Sequence, residues 1–245
     1  MSRIRVIPAL LLTLVLMTTG VLSATAQDAT PSPMQNATPP AAQVVPPGTE
    51  AMGASYSDWA KNWWEWSLSF PTVVNPGVDE TGAACGLGQH GDVFFLAAST
   101  FANAGLIRTC MIPEGMAILV PVIGADCSTA EADPNHGSDA ASLSACAKAL
   151  VDQITAAMLN VDGTDITLLE SYRVQTPVFS VILPEGNWLN APAGSASVVA
   201  DGVYVLIEPM SVGSHTISFG GTFPTGGSLV VTYNITVEAP SVPAG

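Results

Sequence analysis

Apolar side chains occupy every second position of the segment 228–238. They are Leu229, Val231, Tyr233, Ile235 and Val237. Successive side chains of a β-strand point to opposite faces of the sheet, so this alternation is typical of a strand with one face buried in a core. The chain therefore has to provide partner strands and a second layer that covers the buried face.

Shorter apolar segments supply the partner strands. Further strands are predicted over 93–97, 116–123, 178–183, 203–208 and 215–219. Asp162-Gly163 and Asp201-Gly202 each predict a tight hairpin turn. Short strands separated by turns predict a mainly β fold, an antiparallel β-sandwich (jelly-roll-like) with one or two packed helices.

A first helix is predicted between Ser55, whose side chain can cap it, and Phe70, which precedes Pro71. Its aromatic residues recur at spacings of three and four and form one stripe, which we expect to pack on the domain: Tyr56, Trp59, Trp63, Trp66 and Phe70. Trp64 points away from the stripe. An exposed Trp64 would favour carbohydrate or another ligand with an apolar face.

A second helix is predicted over 138–160. Its buried face would consist of apolar residues at helical spacing, namely Leu143, Ala147, Leu150, Val151, Ile154 and Met158. Cys146 lies at the flank of that face, where it can tie the helix to the acidic loop before it.

Residues 1–26 have the three-part layout of a secretory signal peptide. A basic stretch with Arg3 and Arg5 is followed by an apolar run over 6–16 and by small residues at 24–26. The apolar run is shorter than the ~20 residues that a membrane-spanning helix needs. An uncleaved anchor is the alternative interpretation, and no later segment is apolar enough to span a membrane.

The rest of the chain divides by composition. Residues 27–49 are rich in proline, alanine and threonine, and we predict a disordered tether there. Segment 50–238 has the composition and length of one globular domain, predicted to be the β-sandwich. Residues 239–245 would form a flexible tail.

The chain is strongly acidic, with 20 acidic and six basic residues and a formal net charge of −14. Binding to nucleic acid requires clustered lysine and arginine that neutralise phosphates, so nucleic acid is excluded as a partner. The charge suits solubility, cation binding or a cationic partner, and the sequence does not choose among these.

Four cysteines in the predicted exported part indicate two disulfides formed in an oxidising compartment. Three pairings are possible. We favour Cys85–Cys110 and Cys127–Cys146, because each closes a loop of about 20 residues around a glycine-rich or aspartate-rich segment. A metal site is the alternative use of cysteines, but the chain has no C-x-x-C pair, so no metal is predicted.

The segment 86–91 reads GLGQHG and matches the dinucleotide-binding string G-x-G-x-x-G. That string holds a cofactor only when a strand precedes it and a helix follows it, and here a β-segment follows. No cofactor is therefore predicted. Gln89 and His90 are the side chains of this loop that suit polar recognition of a ligand.

Arg108 and His215 complete the set of candidate ligand-binding residues. Arg108 either pairs with an acidic side chain or binds the carboxylate of a ligand. His215 lies on the same face of its predicted strand as Ile217 and Phe219, so we expect its side chain to face inward and to hydrogen-bond to the backbone. The alternative is a pocket histidine near Arg108, and the spacing of the three histidines does not support a metal site.

The acidic segment 126–139 contains an oxygen-rich stretch with Asp133, Asn135 and Asp139. The spacing of an EF-hand and its closing glutamate are absent, so a calcium loop and a solvated acidic loop are both left open. The chain has no G-x-S-x-G motif. Its carboxylates are too numerous to single out a catalytic pair, so catalysis is left undecided.

Six strings spread over most of residues 55–238: YSDWAKNWWEWSLSFP, CGLGQHGDVFFLA, RTCMIPEGMAILVPV, YRVQTPVFSVILP, GSHTISFGGTF and VTYNITV. Taken together they resemble a group of uncharacterised exported bacterial proteins with a β-sandwich-like fold. The resemblance implies one secreted domain and strengthens the pairing of Cys85 with Cys110. The group brings no established activity, so the resemblance assigns no site residues.

We therefore expect a secreted or envelope-associated β-sandwich that binds an extracellular ligand, with carbohydrate as a candidate, or a partner, without catalysis. The binding surface would combine the loop 86–91, Arg108 and Trp64. One alternative is a secreted hydrolase or lyase that acts on a polymer, with His90 or His215 as acid or base. Another is a structural cell-surface protein. Convergence of the two histidines, Arg108 and an acid in one cleft would favour the enzyme.

Overall fold

The computed structural model of the protein describes residues 42–99, 104–223 and 227–240. The predicted signal peptide, most of the predicted tether and the end of the predicted tail lie outside these residues. The helices are α1 (Tyr56–Leu68) and α2 (Ala140–Val151). The strands are β1 (Val93–Phe95), β2 (Ala104–Pro113), β3 (Ala117–Ser128), β4 (Ala156–Val161), β5 (Thr164–Asp165), β6 (Arg173–Gln175), β7 (Phe179–Leu183), β8 (Gly194–Ile207), β9 (Gly213–Thr222) and β10 (Ser228–Glu238).

The strands form two five-stranded sheets that pack on each other, which confirms the predicted sandwich. The first sheet has the order β1-β3-β8-β6, and β7 also pairs with β8. The second sheet has the order β2-β10-β9-β4-β5. Most pairs are antiparallel, as predicted, but β1 pairs with β3 and β2 pairs with β10 in parallel.

The two central strands of the first sheet, β3 and β8, are buried on both faces. Every residue of β3 from Ala117 to Ile123 is buried, and so is nearly all of β8. A strand buried on both sides has a continuous apolar sequence rather than an alternating one. In β10, by contrast, the residues from Val231 to Val237 alternate between buried and more exposed side chains, as the sequence predicts.

Helix α1 confirms the predicted cap and aromatic stripe. The side chain of Ser55 accepts a hydrogen bond from the backbone N–H of Asp58 and so caps the first turn. Three indole N–H groups of the helix donate to backbone carbonyls elsewhere in the fold: Trp59 to Ala51, Trp63 to Leu96 and Trp66 to Leu87. The stripe thus anchors the helix through both apolar contact and directed hydrogen bonds.

The second helix is shorter than predicted. It ends at Val151, and residues Ala156–Val161 form β4, which pairs with β9. The predicted inner residue Met158 is 41% exposed. Pairing with the sheet outweighs the local helical pattern here. In β4 the side chains pack against those of the neighbouring strand β9, a contact that a longer helix would not make. The predicted inner residues Leu143, Ala147 and Val151 are buried.

One of the two predicted hairpin turns is correct. Asp162 and Gly163 have φ angles of 50° and 81° and connect β4 to β5, as a tight hairpin requires. The turn predicted at Asp201-Gly202 is wrong, because both residues lie inside β8. Gly202 faces Gly124 of β3, and a Cβ atom at Gly202 would lie 2.7 Å from the carbonyl oxygen of Ile123. The glycine permits close approach of two strands rather than a turn.

Both predicted disulfides are present. Cys85 is bonded to Cys110, which fixes the loop after α1 to β2, and Cys127 is bonded to Cys146, which fixes β3 to α2. Bonds of this kind are typical of proteins that fold in oxidising compartments. Among the residues described, no helix is both long and apolar enough to cross a membrane.

Replacing Cys127 and Cys146 together by alanine is expected to lower the free energy of unfolding by about 3 kcal/mol, because the unfolded chain gains the freedom of an open loop. Urea denaturation followed by circular dichroism measures the change. Selective reduction of the same bond in the wild-type protein is the matched control and should give a similar loss. A loss below about 1 kcal/mol in both would contradict the stabilising role of this bond.

Candidate functional site

A cavity of about 200 Å³ lies between α1, the end of β3 and the loop that joins β7 to β8. Its walls include four aromatic side chains, Trp63, Trp64, Trp188 and Tyr204. We call this space the tryptophan cavity. Concave sites with mostly apolar walls and a few polar groups are the common form of small-ligand sites.

The aromatic walls are held by contacts with one another. The rings of Trp63 and Trp64 meet edge to face, with centroids 5.0 Å apart. Trp64 stacks on Trp188 with centroids 6.3 Å apart and an interplanar angle of 25°. The indole N–H of Trp64 donates to the hydroxyl of Tyr204, which leaves the hydroxyl proton available to another acceptor.

The loop that carries Trp188 is fixed by its neighbour Asn187, which is itself buried. The side-chain amide of Asn187 donates to the carbonyls of Pro184 and Ala191, and its oxygen accepts from the N–H of Ala191. These bonds, together with those from Thr72 to the carbonyl of Gly186, fix the loop in which Trp188 stacks on Trp64.

Two polar atoms at the tryptophan cavity are buried without a partner. Asp126 is 3% exposed, and its Oδ2 has no hydrogen-bond partner among the described residues. The indole Nε1 of Trp188 is likewise without one. A buried polar group left unpaired costs about 1–3 kcal/mol, so two of them on one cavity are an uncommon feature of a folded domain.

Asp126 belongs to a pair of neighbouring carboxyl groups. Burial raises its pKa well above the usual range, and the charge of Glu131 raises it further. Burial also raises the pKa of Glu131 to about 7, although hydrogen bonds from Ser128 and Asn135 to its carboxylate oppose the rise. The pair therefore holds protons at a pH at which ordinary carboxylates are ionised.

Between pH 4.5 and 7.5 the free energy of unfolding is expected to fall by about 2 kcal/mol as pH rises. A group with a raised pKa binds its proton more tightly in the folded state, so stability is greatest below the unfolded pKa and is lost as pH rises through the folded pKa. The full shift of Glu131 would give about 3 kcal/mol, which partial exposure to solvent reduces. Denaturation in urea at several pH values measures the fall.

The variant Glu131→Gln tests whether Glu131 causes this fall in stability, because the amide keeps the shape and an acceptor oxygen but does not titrate. This variant should show a smaller decrease, whereas the exposed Glu114→Gln should keep the wild-type profile. The pKa values of Asp79, Asp139 and Asp152 are lowered, so their stabilising effect is lost only as pH falls below this window. Wild-type stability that stays level or rises from pH 4.5 to 7.5 would contradict the expectation.

Trp64 lines a cavity and is not exposed, so the condition that would favour an exposed carbohydrate surface is not met. Trp64 is 5% exposed, and its helix neighbour Leu68 is fully buried. Both apolar faces of α1 are covered, because the stripe packs on one side and Tyr204 and Trp188 cover the other.

Arg108 lies in the core, where it is 1% exposed and makes no ion pair with an acidic side chain among the described residues. The predicted acid partner is replaced by backbone carbonyls, those of Gly77, Asp79, Ala97 and Ala98. Its guanidinium also donates to the hydroxyl of Tyr233 and lies 5.6 Å from the centre of that ring. Gly77 and Ala98 line the tryptophan cavity, so Arg108 positions part of its wall.

Gln89 and His90 do not face the tryptophan cavity. The side chain of Gln89 bonds to the carbonyl of Cys85 and to both backbone groups of Phe95, and so fastens the loop to β1. His90 is exposed, and its Nδ1 lies 3.0 Å from the carbonyl oxygen of Gly88. Gly88 has a φ of +65°, and a Cβ there would lie 2.7 Å from the ring of Phe70, so close packing against the residues that follow α1 accounts for this glycine.

His215 faces inward and bonds to the backbone, as predicted. Its Nε2 lies 2.8 Å from the carbonyl oxygen of Ser211, and its Nδ1 lies 2.7 Å from Oδ2 of Asp162. The sequence did not indicate the aspartate partner, because the two residues are brought together only by the pairing of β4 with β9. Both ring nitrogens are occupied, so the imidazole has no free position for a ligand.

The five candidate residues thus have separate surroundings rather than one shared cleft. Trp64 lines the tryptophan cavity, whereas His215 lines a small pocket at the other sheet. The acidic residues of the segment 126–139 also have different roles, since Asp139 caps α2 and Asp126 lines the cavity. Within the described residues no group of three or more histidine, cysteine or acidic side chains is arranged to hold a metal ion.

A wider depression of about 730 Å³ lies at the loop 86–91 and the segment 72–75. Val73 and Leu87 are exposed there, so its surface is mainly apolar. Its one carboxylate, Asp79, already accepts hydrogen bonds from Thr81 and Ala84. Its carboxylate already accepts hydrogen bonds from the protein and is not left unpaired for a ligand. We therefore place the candidate site at the tryptophan cavity.

Sequence reasoning did not assign three residues of the cavity to a ligand pocket: Asp126, which was considered only as part of the acidic segment 126–139, Trp188 and Tyr204. Asp126 offered a signal, because a single acid between Ala125 and Cys127 at the end of an apolar run is placed to be buried. Tyr204 has the sequence context of an ordinary core aromatic in a strand, and Trp188 lies in a loop with no regular pattern. Their convergence depends on the long-range packing of α1 on the first sheet.

The chain matches no known protein-family model and no curated protein. A solved structure of a cysteine protease inhibitor from Entamoeba histolytica is similar at a TM-score of 0.21 and 15% sequence identity. The match covers 53% of this chain and 86% of that chain. A TM-score this low supports no argument about fold or function, so the site must be interpreted from its own geometry.

Proposed function

We propose that the protein is exported and binds a small ligand, without catalysis, in the tryptophan cavity. The observation that carries this proposal is the buried, unpartnered Oδ2 of Asp126 at an aromatic-walled cavity. A ligand that bonds to Asp126 would remove the cost of this unpaired atom, and the tryptophan rings would cover its apolar surface. The two disulfides support the export part of the proposal.

Binding has more support than catalysis. The histidines that could serve as acid or base do not line the tryptophan cavity, and both ring nitrogens of His215 already face acceptors. The membership of the chain in the group of exported bacterial proteins that it resembles is part of the same proposal. That group suggests a secreted domain but no ligand, so the chemistry of the cavity has to identify the ligand.

A thermal-shift panel tests the proposal on the purified exported protein. The panel contains monosaccharides, alcohols, carboxylic acids and amines of up to about ten non-hydrogen atoms. A ligand at 100 times its Kd adds about 2.7 kcal/mol to stability, which is an easily measured rise in Tm. We expect at least one compound to raise Tm in the wild-type protein and to lose this effect in Trp188→Ala.

His90→Ala is the matched control, because it removes an exposed side chain of the loop 86–91 and leaves the tryptophan cavity intact. It should keep the full ligand response. The proposal fails if no compound raises Tm, or if the response persists in Trp188→Ala and disappears in His90→Ala. Circular dichroism of Trp188→Ala verifies that the variant is folded.

A further inference from the structure

The tryptophan cavity has one sign of charge. Asp126 is its one ionisable carboxyl group, and none of the described residues that line it is lysine, arginine or histidine. Asp126 is 3% exposed, and its Oδ2 is buried. Coulomb interactions are strong at such depth, because little water is present to screen them.

The aromatic walls strengthen this preference for positive charge. The faces of tryptophan rings carry negative electrostatic potential and attract ammonium groups within about 6 Å of the ring centre. Trp64 and Trp188 lie nearly parallel, Trp63 lies nearly perpendicular to Trp64, and all three residues line the space. No basic side chain of the protein occupies these faces, because the one cation–π contact among the described residues is that of Arg108 with Tyr233.

The surroundings of the cavity act in the same direction. The negative charge of Glu131 raises the pKa of Asp126, and the negative charges of Asp126 and Asp201 raise the pKa of Tyr204. Arg173 neutralises Asp201 through two hydrogen bonds, whereas Asp126 and Glu131 have no basic partner among the described residues. The whole chain carries a formal net charge of −14, which raises the local concentration of cations.

We infer that the ligand of the tryptophan cavity is a small organic cation whose ammonium group lies beside Asp126 and whose alkyl groups contact Trp64 and Trp188. This inference rests on the proposed function and names the class of ligand for the same site. An engineered cavity of about 150 Å³ holds benzene, so a cavity of about 200 Å³ suits a cation of roughly seven or eight non-hydrogen atoms.

Binding of a cation is coupled to proton release. Burial and the charge of Glu131 raise the pKa of Asp126, so the free protein keeps this carboxyl group protonated to a higher pH than usual. A cation beside it favours the ionised form and expels the proton. The groups that face Asp126 and titrate with it are Glu131 and, at high pH, Tyr204, so proton release should persist in Glu131→Gln.

Choline and 3,3-dimethylbutan-1-ol form the matched pair for the test. They have the same size and shape, but the nitrogen of choline carries a positive charge and the corresponding carbon of the alcohol does not. Isothermal titration calorimetry of the exported protein should show that choline binds at least tenfold more tightly than the alcohol. In Asp126→Asn this preference should fall to less than threefold, whereas the exposed Asp92→Asn should retain it.

The outcomes separate the two proposals. Equal affinity for choline and the alcohol, with loss of both in Trp188→Ala, would overturn the cation inference and leave the binding site in place. Binding of a monosaccharide in place of choline would do the same. Absence of binding by every compound of the panel, choline included, would overturn the proposed function. Calorimetry in two buffers of different ionisation enthalpy measures the proton released, and a value of zero for a bound cation contradicts the role of Asp126.

Discussion

Replacing Arg108 by methionine is expected to lower the free energy of unfolding by at least about 4 kcal/mol. The guanidinium is fully buried and serves four backbone carbonyls and the hydroxyl of Tyr233. Hydrogen bonds from a charged donor contribute about 1.5–3 kcal/mol each, and methionine would remove the donor of all of them, although the carbonyl of Ala97 would still accept from the hydroxyl of Tyr233. Domains of this size are stable by only about 5–15 kcal/mol, so the variant should be much less stable or partly unfolded.

Guanidinium chloride denaturation followed by tryptophan fluorescence measures this loss. Arg108→Lys keeps the charge but has a single nitrogen, which cannot reach acceptors on opposite sides of the guanidinium, so we expect a loss of at least about 2 kcal/mol. The control is Lys148→Met, which removes a largely exposed cation and should change stability by less than about 1 kcal/mol. A loss below about 1 kcal/mol in Arg108→Met would show that the carbonyls find other partners.

Trp64→Ala is expected to lower the free energy of unfolding by about 3–5 kcal/mol, the range for truncation of a large buried aromatic side chain. The substitution removes the stacking on Trp188, the edge contact with Trp63 and the hydrogen bond to Tyr204. Urea denaturation measures the effect. Had Trp64 been an exposed recognition residue, its removal would change stability by about 0.5 kcal/mol or less.

Two further variants locate the source of that loss. Ile182→Ala truncates a side chain that is 72% exposed and should leave stability within about 0.5 kcal/mol of the wild type. Tyr204→Phe removes the hydroxyl that accepts from Trp64 and should cost about 1–2 kcal/mol. If Trp64→Ala were as mild as Ile182→Ala, the described burial of α1 against β8 would be contradicted.

The sequence predicted those parts of the fold that local periodicity encodes. The alternation in β10, the cap at Ser55 and the aromatic stripe of α1 each depend on residues within one element, and the structure confirms them. Strand β2 was missed, because Arg108 occupies a core position in it and interrupts the apolar pattern. The length of α2 was overestimated, because the pairing of β4 with β9 is a contact between distant segments.

The candidate site was less predictable than the fold. A tryptophan on a second face of α1 looks exposed in the sequence, and only the packing of the loop around Trp188 shows that it is covered. Likewise, an acid such as Asp126 has the same appearance in the sequence whether it is solvated or buried. Its significance comes from the absence of a partner, which is a property of three-dimensional packing.

The parallel pairing of β2 with β10 has a consequence for the order of folding. Strand β10 lies between β2 and β9, so residues 104–113 can be paired only after residues 228–238 have been synthesised. Contacts between segments so far apart in sequence slow folding, because a long loop must close first. The second sheet is therefore completed only after synthesis has passed residue 238, whereas all strands of the first sheet lie within residues 93–207 and can pair earlier.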